Sequence, residues 1–316
     1  MDVPLLAWAA VSAFIVAVLL IDLFAFHRHA HQVSMREAAV SSAVWVALGL
    51  AFGGVVWAAA GGDRAGEYFA GYLIEKSLSV DNIFVFALLF SFFAVPSPFQ
   101  HRLLFWGVLG ALVFRGAFIL VGATLLASFS WVIYVFGAFL IYTGMKLVRH
   151  GDQTVHPERN PVLKLLRRVM PVTDEYQGTR FLVRRASRTM ATPLLAVLVA
   201  VETTDVLFAV DSIPAIFAVT DEPFLVFTSN AFAILGLRAL YFLLAGMIDR
   251  FVYLKYGLAA ILVFVGIKMV IADLWHIPIV ISLLVIAAVL ALSVAASLWA
   301  TRPSANPKEE SDELSR

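Results

Sequence analysis

Two stretches of this chain put carboxylates inside apolar runs long enough to cross a bilayer. One is Glu75-Lys76-Ser77-Leu78-Ser79-Val80-Asp81-Asn82. The other runs from Glu202-Thr203-Thr204-Asp205 to Asp211-Ser212-Ile213-Pro214. With Asp22 in the first apolar run, six acids fall at membrane depth. A central Asp costs on the order of 3 kcal/mol on insertion scales, so several in one protein need an offsetting partner. A cation supplies one. Carboxylate, amide, hydroxyl and carbonyl oxygens suit hard divalent ions such as Mg²⁺, Ca²⁺ or Mn²⁺. The chain has no cysteine, which removes thiolate metal sites and disulfides. Burial and like-charge crowding also favour protonated carboxyls. Metal and proton would then compete for one site, the simplest physical basis for exchange.

The candidate metal ligands are Glu75, Asp81, Asn82, Glu202, Asp205 and Asp211, with Asp22 and Ser212 as accessory positions. Glu202 and Asp205 are three apart and share a helix face; Glu75 and Asn82, seven apart, do too. At about 100° per residue, Asp81 lies about 120° from Glu75, and Asp211 about 180° from Glu202. A straight helix cannot aim all of them at one point. Pro214 removes the amide that would bond to the carbonyl of Val210, so an irregular segment at 211–214 is the expected way to turn Asp211 inward. Arg115, Arg238 and Lys76 are the basic partners, tuning the acids or pairing with them. The blander alternative is that these ion pairs only hold helices together. His27, His29 and His31 follow the first run; they are read as a juxtamembrane polar cap rather than a metal site.

The elements that must carry these residues are membrane helices. The chain has 316 residues, 61% of them hydrophobic, and a mean hydropathy of +0.90, whereas soluble proteins are nearer half apolar. The net charge of +1 says little by itself. The run from Leu5 to Phe26 is too long for a signal-peptide core and lacks a positive flank, so it reads as a first span. With about 20 apolar residues per span, nine spans are expected, near 4–26, 38–60, 67–94, 103–127, 129–148, 193–219, 224–248, 254–273 and 277–299. Gly61-Gly62, Pro96-Ser97-Pro98, Asp221-Glu222-Pro223 and His276-Ile277-Pro278 punctuate them. Lys and Arg concentrate in 27–37, 95–102, 149–192, 249–255 and 300–316, and the opposite set holds only Arg64. The positive-inside rule then places the N-terminus outside and the C-terminus in the cytoplasm. The long connection 149–192 is basic, and within it Pro161 to Met170 reads as a short amphipathic helix on the inner leaflet. The polar tail 300–316 is expected to be disordered.

Three short matches recur in order. Asp81-Asn82-Ile83-Phe84 aligns with Asp205-Val206-Leu207-Phe208 at an offset of 124, Leu112 to Arg115 with Leu235 to Arg238 at 123, and Gly144 to Val148 with Gly266 to Val270 at 122. The expected fold is therefore an all-α membrane protein with an inverted repeat of three-helix units. The units are 67–148 and 193–273, preceded by two helices in 1–66, joined by 149–192 and followed by a last helix in 274–299. An odd number of helices per unit turns the second upside down relative to the first, an arrangement that builds transporters with a midplane site.

Glu75 to Asn82 and Phe208-Ala209-Val210-Asp211-Ser212-Ile213-Pro214-Ala215-Ile216-Phe217-Ala218-Val219-Thr220 resemble the two signature segments of the TerC family, a branch of the LysE-like exporters. Thr228-Ser229-Asn230 and Ala233 to Arg238 resemble it too, and the likeness extends over roughly residues 5–300. It is strongest to the bacterial pH- and manganese-responsive branch. The resemblance implies a bacterial inner-membrane exporter of Mn²⁺ from a family named after tellurium resistance, with the acidic positions falling on Glu75, Asp81, Glu202, Asp205 and Asp211. Residues 149–192 match poorly apart from Thr189 to Pro193. The alternative is a non-transporting membrane scaffold for assembly, or for metalation of exported proteins. An enzyme is not expected: there is no Gly-x-Gly-Asp segment and no Ser–His pair at depth. The expected partners are the bilayer and a divalent ion, not nucleic acid.

Overall fold

The structure is a computed structural model that describes residues 3–21, 34–129, 131–149, 160–173, 175–185, 188–244, 252–275 and 277–301, with the side chains of Asp81 and Phe84 excepted. Asp22, His27, His29, His31 and the tail beyond Thr301 lie outside the described residues.

The described chain is almost wholly helical. Its elements are α1 (Leu5–Ile21), α2 (Met35–Ala60), α3 (Gly62–Phe92), α4 (Ser97–Ser128), α5 (Val132–Arg149), α6 (Pro161–Val169), β1 (Leu182–Arg185), β2 (Arg188–Ala191), α7 (Pro193–Phe217), α8 (Pro223–Leu235), α9 (Leu237–Leu244), α10 (Leu254–Val270) and α11 (Ile279–Ala300). The sequence punctuation falls where helices begin. A proline opens the first turn of α4, α6, α7 and α8, where its missing N–H would have had no intrahelical partner. Ser34 caps α2 by accepting from the Glu37 amide at 3.2 Å. Gly61, at φ 88°, makes the break between α2 and α3 in backbone space that a side chain disfavours.

Five helices are long and apolar enough to cross a membrane: α2, α4, α5, α7 and α11. A sixth span arises if α8 and α9, bent by 40° at their junction, act as one. The chain is thus a multi-pass helical protein with five or six candidate spans among the described residues, rather than a demonstrated nine. The shortfall has identifiable causes. The described part of α1, up to Ile21, is 17 residues long, and α10 is also 17 residues long. Helix α3 has the length, but every stretch of it long enough to span contains Glu75, Lys76 and a further charge.

Two apolar clusters fill the interior. One joins α2, α3, α4, α8 and α9 with the start of α7, through Tyr68, Phe90, Leu103, Leu194 and Phe232. The other joins α5, α10 and α11 with the end of α7, through Leu140, Ile213, Ile216, Val265 and Ile286. Helices α5 and α10 touch backbone to backbone. A Cβ at Gly137 would stand 2.9 Å from the Gly266 carbonyl, one at Gly266 2.7 Å from the Gly137 carbonyl, and one at Gly144 2.8 Å from the Ala259 carbonyl. Small residues of this kind let membrane helices approach closely.

The basic connection contains the expected helix as α6, and adds an antiparallel hairpin, β1–β2, that the sequence pattern does not announce. The stretch between α6 and β1, with Thr192 before α7, fastens the adjoining helix ends. Tyr176 donates to the Phe93 carbonyl at the end of α3 at 2.8 Å, and burial raises its phenol above the ordinary range, which keeps the donor proton in place. Thr192 donates to the Arg180 carbonyl at 2.7 Å, and Arg102 lies over the Phe181 ring at 5.2 Å.

Candidate functional site

Helices α3, α4, α7 and α8 converge on one buried guanidinium. Arg115 of α4 is 1% exposed and its neighbours Glu75 and Asp205 are 0% and 2% exposed. Its Nε donates to Asp205 Oδ2 at 3.1 Å and its Nη2 to Asp205 Oδ1 at 3.0 Å, a two-pronged pair. Its Nη1 donates to Glu75 Oε1 and, at 3.2 Å, to Ser212 Oγ. The second oxygen of Glu75 accepts from Asn230 Nδ2 at 2.9 Å. Both oxygens of each carboxylate are therefore engaged. In a low-dielectric interior this satisfaction is what makes the charges tolerable. With both acids ionised the cluster carries two negative charges against the one guanidinium bonded to them.

Of the predicted residues, the structure brings together Glu75, Asp205, Ser212 and Arg115. It adds Asn230, which the sequence reading quoted as part of a motif but not as a site residue. Its one signal is an amide in the middle of an apolar helix.

The others are placed elsewhere or only nearby. Glu202 is half-buried one turn before Asp205, against Gly110 of α4: a Cβ at that glycine would collide with the carboxylate. Its Oε2 is buried without a hydrogen-bond partner. Asp211 does not turn inward. Helix α7 continues through Pro214 to Phe217, so the expected irregular segment is absent, and Asp211 accepts instead from Thr143 of α5 at 3.3 Å. The reason is that Pro214 removes one amide but leaves the neighbouring turns bonded, as in other membrane helices that keep their course through proline. Lys76, next to Glu75 in sequence, is partly buried at the edge of the same region. Its described bond goes to the Ala233 carbonyl at 3.2 Å, not to a carboxylate. It thereby satisfies the end of α8 where the chain bends at Gly236, and a cation is favourable at a helix C-terminus. Asn82 and Arg238 are buried, and neither bonds Arg115. The Asp81 side chain lies outside the described residues. Among the described residues no three acids or histidines converge as a metal cage.

The sequence comparisons bear on the same segments. Residues 60–305 match the family described as Integral membrane protein TerC family. The chain belongs to the TerC family. It is 51% identical over 295 residues to "Uncharacterized membrane protein STKORF319" of Myxococcus xanthus, covering 93% of this chain and 92% of that one. It is 48% identical over 306 residues to "Putative membrane-bound redox modulator Alx" of Escherichia coli K12, covering 94% and 95%. A Rickettsia bellii membrane protein is 39% identical over 293 residues, covering 93% and 97%. No solved structure matches the chain. The TerC match includes every residue bonded to Arg115.

Proposed function

We propose that this TerC protein is a bacterial inner-membrane exporter of a divalent cation, with Mn²⁺ as substrate and protons as the candidate counter-ion. The observation that carries the reading is the buried Glu75–Arg115–Asp205 cluster. A guanidinium is a fixed cation sitting between two carboxylates from different helices. It stands in for the transported ion when the site is empty, and it must shift aside when a divalent ion takes over the oxygens. Glu75, Asp205, Ser212 and the amide oxygen of Asn230 are then an all-oxygen donor set suited to a hard ion. Asp81, Asn82, Glu202 and Asp211 serve as further ligands or as steps for protons and metal on either side.

The fold proposed with this function is nine spans and two inverted three-helix units, N-terminus outside and C-terminus in the cytoplasm. The α5–α10 contact supports the repeat. The offset of 122 that aligns Gly144 with Gly266 also carries Gly137 onto Ala259. The Gly137–Gly266 and Gly144–Ala259 contacts therefore exchange under it, as a pseudo-two-fold axis requires. Packing of α3 on α8 and of α4 on α7 follows the same exchange.

Mn²⁺ flux into proteoliposomes tests the proposal: Glu75→Gln and Asp205→Asn should each abolish it. Flux that survives both substitutions rejects the site.

A second reading comes from the relatives' name, a redox modulator. This chain has no cysteine, so any redox influence would act through its cargo or a partner rather than its own thiols. A scaffold role has the same outcome. Purified protein without flux, retained with a stable partner, would favour it.

A further inference from the structure

Helix α3 packs antiparallel along the end of α7 and the residues that follow it, and three successive levels of this contact differ in character. At the first, Glu75 and Ser212 share the Nη1 of Arg115. At the second, Gly71 receives Ile216: a Cβ on Gly71 would stand 3.0 Å from Ile216 Cγ2 and 2.8 Å from Ser229 Oγ. At the third, Thr220 Oγ1 donates to Glu67 Oε2 at 2.7 Å. The same Glu67 oxygen takes Arg64 Nη1 at 2.8 Å, and Arg64 reaches Asp221 at 3.6 Å. Asp221 is 95% exposed and Ile216 0%. Glu67 precedes Glu75 by eight residues, about 12 Å along a helix. Along this contact, from the buried charges to the exposed end, Ile216 on Gly71, with Ser229 at the same level, is followed by a small polar clamp. This end is opposite the basic connection.

Resting on the transport reading above, we propose that Ile216 on Gly71 and the Arg64–Glu67–Thr220–Asp221 clamp form the gate through which the Arg115 site opens to the side opposite the basic connection. Several features suit that role. Apolar constrictions one residue thick gate by excluding water. Gly71 lets Ile216 seat against the α3 backbone, so a small separation of the two helices unseats it. The clamp bonds are partly exposed and individually weak, so they hold the ends together without locking them. Once the ends part, Glu67 is a carboxylate two turns from the site, facing a cation on its way out.

Because the chain has no cysteine, introduced cysteines report cleanly. Ser229 is fully buried at the same level as Ile216, and Ser229→Cys should react slowly with a membrane-impermeant thiol reagent added from the clamp side. Adding Glu67→Gln removes a charge-assisted acceptor and should speed that labelling about tenfold. Ile216→Ala should speed it without touching the clamp. Glu67→Cys with Thr220→Cys, bridged by a short bis-methanethiosulfonate that joins each thiol through a disulfide, should stop Mn²⁺ flux, and a reductant that cleaves those disulfides should restore it. Labelling of Ser229→Cys unmoved by both Glu67→Gln and Ile216→Ala would overturn the gate, as would full flux in the bridged protein. Accelerated labelling in a protein that moves no cation would keep the gate and reject the transport reading instead.

Discussion

Asp205 receives the Arg115 guanidinium through both carboxylate oxygens, at 3.0 and 3.1 Å, with neither side chain more than 3% exposed. This geometry uses the planar fork of arginine, which a lysine ammonium cannot reproduce. It also means that Arg115 carries two obligations at once, since Glu75 depends on the same guanidinium.

Arg115→Met should therefore be among the most destabilising single changes in the chain. It leaves two carboxylates buried without their counter-charge, a loss of about 3–5 kcal/mol by comparison with other broken buried pairs. Arg115→Lys should fall between Met and the native residue. Thermal unfolding in detergent measures both. Combining Arg115→Met with Glu75→Gln and Asp205→Asn should recover much of the loss, because no unpaired charge then remains. A triple variant as unstable as Arg115→Met alone would show that packing, not charge, sets the cost.

Asp211 provides the contrast. Its described hydrogen bond is one long contact from Thr143 at 3.3 Å, and it is only half-buried. Asp211→Asn keeps the shape and can still accept that bond, so its stability should change by no more than about 1 kcal/mol. If transport nevertheless falls in this variant, Asp211 acts on the ion or proton path and not on folding. A large drop in unfolding temperature would contradict the placement described here.

How much of this was legible beforehand differs from residue to residue. Glu75, Asp205 and Arg115 stand out because a charge inside an apolar run is expensive wherever it lies. Their mutual pairing was not legible. The repeat relates Asp205 to Asp81 and Arg115 to Arg238, so sequence symmetry leaves it undecided which arginine meets which acid. Asn230 was hidden because one amide carries no periodicity. The direction of Asp211 is not legible because Pro214 by itself suggests a broken turn, whereas α7 keeps its course through it. Helix α3 is counted as a span from its sequence, near 67–94, yet its internal charges keep it out of the five helices that are apolar enough to cross by composition. The hairpin β1–β2 has four-residue strands rich in arginine, too short and too polar to show an alternating pattern.

The α5–α10 contact gives a test of packing independent of the site. Gly137→Leu or Gly266→Leu would drive a side chain into the facing backbone, where nothing can swing away. Overpacking typically costs about 1–3 kcal/mol, and a backbone neighbour puts these two at or above the upper end. Gly54 is the control. Nothing lies within 4 Å of a Cβ there, so Gly54→Ala should gain a few tenths to about 1 kcal/mol from better helix propensity. Unfolding temperatures that move in the same direction for Gly54→Ala and Gly137→Leu would refute the contact.

Helix α6 leads to the last prediction. Leu163 is buried against the bundle, whereas Leu165 and Val169 are 58% and 75% exposed. Going round the helix at about 100° per residue, Leu165, Val169, Val162, Leu166 and Leu163 follow one another along a single arc with Leu163 at one end, and Lys164, Arg167 and Arg168 fill the other side. A continuous apolar arc that the protein covers only in part, backed by three cations, is the pattern of a helix lying in a lipid interface. Anionic headgroups attract such cations by roughly 1 kcal/mol each near the surface. An environment-sensitive fluorophore on Val169→Cys should therefore shift to the blue in nanodiscs containing phosphatidylglycerol, relative to phosphatidylcholine alone. Replacing Lys164, Arg167 and Arg168 with serine should remove the difference between the two lipids while leaving the fold intact, since all three are exposed. An equal signal in both lipids for the native helix would mean that α6 faces water or another protein surface.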